Sequence, residues 1–140
     1  MSDNKISIIP QIVDFSNRHD KAKEILDWLV KRDIVKKEKT DCILSSGLGY
    51  AISNGAKLIV EEPSELPYDL ITNGLEIVTE HTVFDSGKFM DEDYEDDEDI
   101  ELPESNLGFI FWNWPEFKED FINEFKIKLN CDIEILVGRI

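Results

Sequence analysis

Between Phe89 and Glu104 the chain has no lysine, arginine or histidine. Elsewhere, too, it lacks most patterns that carry chemistry. Its two cysteines, Cys42 and Cys131, stand far apart without CxxC spacing. That excludes a multi-cysteine zinc site and a dithiol redox motif. Thiols of this kind suit the reducing cytoplasm, with one disulfide left open. No apolar run approaches the length needed to cross a bilayer. Met1 to Lys5 introduce no positive region with a long apolar run behind it, so no secretory signal is expected there. A phosphate loop needs GxxxxGK[ST], but Gly87-Lys88 continues to Phe89 and lacks the earlier glycine. Gly47-x-Gly49 is followed by Ile52 where a dinucleotide fingerprint has its third glycine, so a tight turn explains it better. The sequence asks for no cofactor.

What fills the gap in bases is acid. The stretch FMDEDYEDDEDIELPE, residues 89–104, holds ten carboxylates. The whole chain of 140 residues has 31 acids against 15 bases, a net charge of −16. Outside the tract 21 acids face the same 15 bases, an ordinary surface. The anomaly is local. A chain this negative is repelled by nucleic acid and by anionic membrane, which excludes both as direct partners. With 41% hydrophobic residues the remainder is globular, and the length fits one domain over 1–140.

Periodicity places the elements. KISIIPQIV, residues 5–13, is extended, with Pro10 implying an edge or a bulge. Ser16 and Asn17 offer caps for a helix to about Asp33, where Ala22, Ile25, Leu26 and Leu29 form one face. KRDIVKKEKT reads as a basic turn, DCIL and GYAIS as a hairpin, and AKLIVEE as a short helix or a strand. After Asn73-Gly74, LEIVTEHTVF alternates as a strand with Leu75, Ile77, Thr79, His81 and Val83 on one face. LGFIFWN is continuously apolar, which predicts a strand buried on both faces. Asn113 and Glu116 resemble a capping box for a helix over Trp114–Leu129, stopped by Asn130. CDIEILVG closes as a strand. The expectation is an α+β fold: a single domain with a mixed or antiparallel sheet, two main helices on one face and a long acidic loop at about 86–106 joining two antiparallel neighbours.

From Asp41-Cys42 through GYAISNGAKLIV, LPYDLITNGLEI and LGFIFWNWPEF to the end, the order of motifs resembles a family of small uncharacterised bacterial proteins loosely labelled sugar ABC transporter ATPases. The resemblance spans about three quarters of the chain, and no ATPase motif accompanies it. It implies longer relatives with a CxxC zinc-ribbon insertion, where this chain carries acid instead.

The chemical readings then narrow. An EF-hand frame starting at Asp93 places Glu95, Asp97, Asp99, Glu101 and Glu104 at ligand positions. It has Glu98 where the turn needs glycine, and Pro103 blocks the exiting helix, so dense acid explains the frame without calcium and no metal site is assigned. His81 reads as a satisfied core or sheet-edge histidine, and a Cys/His nucleophile on Cys42 or Cys131 has nothing in its favour. FIFWNWPEF reads as core rather than a stacking platform, with Trp114 expected to be partly exposed. No catalytic residue is assigned. The leading expectation is a non-enzymatic, cytoplasmic, acidic inhibitor of the immunity-protein kind. It would bind a basic protein such as a nuclease toxin through Asp93, Asp96, Asp97, Glu98 and Asp99, with Tyr94 as an aromatic anchor. The alternatives are a small enzyme or small-molecule binder with a pocket near His81 and Trp114, and an acidic adaptor whose loop is merely solvated. A third role for the tract is internal pairing with Lys31, Arg32, Lys36, Lys37 and Lys39. The sequence leaves the oligomeric state open.

Overall fold

In a computed structural model the described residues are 4–42, 49–84 and 102–139. They build one six-stranded sheet, one two-stranded ribbon, two α-helices and two short 3-10 helices at Asn54–Leu58 and Pro63–Glu65. In chain order the elements are β1 (Asn4–Pro10), α1 (Arg18–Lys31), β2 (Val35–Thr40), β3 (Gly49–Ile52), β4 (Gly74–Val78), β5 (Thr82–Val83), β6 (Glu104–Ser105), β7 (Gly108–Trp112), α2 (Glu119–Leu129) and β8 (Ile133–Arg139). The large sheet runs β2-β3-β4-β7-β1-β8, and every ladder in it is antiparallel. The α+β class is thus as the periodicity indicates, and the strands flanking the acidic stretch, β4 and β7, do pair as antiparallel neighbours.

Strand alternation divides the side chains between two faces. Ile6, Ile8, Ile52, Leu75, Phe109 and Phe111 point to the side where both helices lie. There α1 lays down Ala22, Ile25 and Leu29, and α2 lays down Phe121, Phe125 and Leu129. The helices meet through Trp28 stacked on Phe121, with ring centroids 5.6 Å apart. Phe111 meets Trp114, Phe117 and Phe125 edge-on, the arrangement that aromatic quadrupoles favour. The opposite face carries a smaller cluster of Ile9, Cys42, Phe84, Ile110 and Trp112. All five residues of β7 are buried, as a strand covered on both sides must be.

Several local expectations yield to tertiary pairing. Pro10 marks neither an edge nor a bulge: β1 lies between β7 and β8, and the proline is simply its last residue. Its ladder with β7 ends at Ile8–Phe109, so no partner there needs the missing N–H. The basic stretch turns only at Arg32–Asp33, and from Val35 to Thr40 it is the edge strand β2. LEIVTEHTVF breaks after Val78, and only Thr82–Val83 resumes, in the separate ribbon. The second helix begins at Glu119, not Trp114. Residues 114–118 are instead drawn into backbone pairing: Val60 bridges Phe117, Glu61 N–H donates to Glu116 C=O, and Lys118 N–H to Ile59 C=O. Asn113 is no helix cap either. It turns at φ 66°, accepts the Asn4 N–H on Oδ1 at 2.8 Å and donates Nδ2 to Thr72 C=O at 2.7 Å.

Candidate functional site

The described residues on either side of 85–101 form a short ribbon. Thr82 pairs with Ser105 and Val83 with Glu104 in the β5–β6 ribbon. Beyond it, Phe84 N–H donates to Pro103 C=O at 2.8 Å. Phe84 and Pro103, the described residues near either side of 85–101, are therefore backbone neighbours. Below the ribbon, Ser105 Oγ donates to Ile12 C=O at 2.7 Å and Asn106 N–H to Val13 C=O at 2.9 Å. Asn106 Oδ1 accepts the Phe15 N–H at 2.8 Å. Ser105 and Asn106 are both buried, and these bonds are part-buried. Phe84 is also buried, and its ring fills the space over Gly108, where any Cβ would collide with it.

Asp93, Tyr94, Asp96, Asp97, Glu98 and Asp99 lie outside the described residues, as do residues 43–48, where a turn was expected. Of the calcium frame only Glu104 is described. It sits in the ladder opposite Val83 rather than opening a helix, and its Oε2 lies 2.5 Å from His81 Nε2. Both side chains are substantially exposed, which makes this a surface pair at the foot of the acidic stretch. Among the described residues, no group of three His, Cys, Asp or Glu side chains converges to hold a metal ion.

Trp114, expected to be partly exposed, is buried at 3%. Aromatic contacts to Phe111 and Phe117 hold it there. It lines an apolar groove of about 480 Å³ together with Ile6, Phe117, Ile122, Ile135 and Val137. Its Nε1 is buried with no hydrogen-bond partner among protein groups. His81 is not among the groove's lining residues. Of the pocket position expected near His81 and Trp114, the groove thus meets Trp114 alone; it forms where Trp114, Phe117 and Ile122 face Ile6 of β1 and Ile135 and Val137 of β8.

The two cysteines are free. Cys42 is buried in the smaller cluster. Burial pushes the Cys131 thiol above its ordinary value, and the Asp132 carboxylate pushes it further, against weaker opposing effects of the Gln11 N–H and Lys21. A thiol so held is a poor nucleophile at neutral pH. The basic stretch is partly committed elsewhere, since Arg32 pairs with Glu124 at 2.9 Å and lies against the Trp28 ring. Among the described residues no helix is long and apolar enough to cross a membrane. Comparisons with protein families, curated proteins and solved structures give no match to this chain.

Proposed function

We propose that the chain is a non-enzymatic, cytoplasmic binding protein that captures a basic protein partner through Asp93, Tyr94, Asp96, Asp97, Glu98 and Asp99, in the manner of an immunity protein against a nuclease toxin. The observation that carries the reading is the base of the loop. A merely solvating tail needs no anchor. Here the Phe84–Pro103 bond, the ribbon, and the bonds of buried Ser105 and Asn106 to Ile12, Val13 and Phe15 hold the described residues on either side of 85–101 together. Fixing the ends lowers the entropy lost when the acids engage a partner. Clustered carboxylates also accelerate encounter with a cationic groove of the kind nucleases use for phosphate. The run itself carries no base between Phe89 and Glu104 to neutralise it.

The test is a pull-down from cell extract at low and high salt. The intact chain retains a basic protein at low salt and releases it as salt rises, because exposed charge pairs are screened. Replacing Asp93, Asp96, Asp97 and Asp99 with Asn and Glu98 with Gln abolishes retention. Undiminished capture by that variant refutes the proposal.

A further inference from the structure

We propose that two copies of this chain join edge to edge through β8, in an antiparallel register centred on Leu136. The argument begins with the two edges of the sheet, which are not alike. At one end β2 presents Lys36, Lys37 and Lys39 and breaks register with β3 between Val35 and Lys39. Charge and irregularity are how sheets block unwanted pairing. At the other end β8 is regular over seven residues, and among the described residues nothing pairs with its outer side. Its exposed side chains there are apolar: Ile135 is 39% and Val137 64% exposed.

Hydrogen-bond parity fixes which backbone groups are free. Gln11 N–H donates to Asp132 C=O at 2.9 Å, one step beyond the Pro10–Ile133 pair. In an antiparallel ladder bonded pairs alternate with non-bonded ones. Glu134, Leu136 and Gly138 therefore bond to β1, while Ile133, Ile135 and Val137 turn their N–H and C=O outward. A second β8 centred on Leu136 sets Ile135 against Val137 and Val137 against Ile135. Every outward group then meets an outward group. The same register sets Glu134 opposite Gly138, so no like charges oppose each other. It also places the Ile135 and Val137 side chains of both copies together, at the mouths of the two Trp114–Phe117–Ile122 grooves. The surface is complementary to itself, which is what a two-fold interface requires.

Analytical ultracentrifugation of the full chain over a concentration series provides the test, with two kinds of variant. The expected mass rises toward twice the 16.2 kDa of one chain. Val137→Lys weakens association by about 100-fold or more, because each copy then buries an unpaired cation. Its circular dichroism stays unchanged, since Val137 is already exposed. In a Cys131→Ser background, Leu136→Cys forms a disulfide with its own copy under mild oxidation. The self-opposed, non-bonded pair brings the two Cα atoms to about 4.5 Å, within disulfide reach. Ile135→Cys does not, because its partner is residue 137. A chain monomeric at every concentration, a dimer indifferent to Val137→Lys, or equal crosslinking at 135 and 136 would each overturn the proposal.

Discussion

Asn73 shows how much one side chain carries. Its Oδ1 accepts the buried Ile52 N–H at 3.1 Å, its Nδ2 donates to Leu70 C=O at 2.7 Å, and its own N–H reaches Cys42 C=O at 3.0 Å. The β3–β4 ladder pairs only Tyr50 with Leu75, so this amide continues the sheet where the main chain stops. Gly74 follows at φ 102°, with Tyr50 C=O so close that a Cβ has no room. Asn73→Ala leaves the Ile52 amide buried and unbonded, and should cost about 1–3 kcal/mol in urea unfolding. Three ionisable groups give a second prediction at this scale. Burial raises the Tyr50 phenol, burial and then the Asp33 carboxylate raise Tyr68, and burial raises the Cys131 thiol. These acids are neutral in the fold at pH values where the unfolded chain has begun to lose their protons. Their contribution is therefore whole below the ordinary values of 9.0 for the thiol and 10.0 for the phenols, and declines as pH climbs through the raised ones. Thermal melts should show a falling midpoint from about pH 9 upward. A flat profile to pH 11 would contradict the assignment.

Among the elements, α2 shows best what was and was not legible. Its apolar face of Phe121, Phe125 and Leu129 follows the helical period, and its stop at Asn130, at φ 58°, follows from asparagine's tolerance of the left-handed region. Its start was not legible, because Val60 and Phe117 pair across more than fifty intervening residues and hold 114–118 out of the helix. No local signal encodes that bridge. Within the face, Phe125 is fully buried and contacts Trp28, Phe109, Phe111 and Phe121. Phe125→Ala should therefore cost about 3–5 kcal/mol, readable as a lowered denaturant midpoint. That is a large share of a small domain's total of roughly 5–15 kcal/mol. The lysines of β2 read as a turn in one dimension. In the sheet they are the shielding of an edge.

For the whole molecule, net charge sets opposite signs on its two proposed contacts. Two chains of −16 repel, so self-association through β8 should strengthen as salt screens the repulsion. Capture of a basic partner by the acidic run should weaken over the same range. Sedimentation and pull-down across one salt series distinguish the two, and parallel trends would refute at least one.

The α+β class, the buried β7 strand, the helix faces and the concentration of acid at 91–104 were all determined by the chain in one dimension. Period, continuous apolarity and charge density are local quantities, and each fixes what its own segment can bury. Three other features belong to the tertiary structure alone: the interior place of β1 despite Pro10, the Asn73 and Asn113 bridges, and the apolar edge at β8, unpaired among the described residues, beside its groove. Each depends on which distant backbone groups come within hydrogen-bonding reach, a matter settled by global packing rather than by neighbours in sequence.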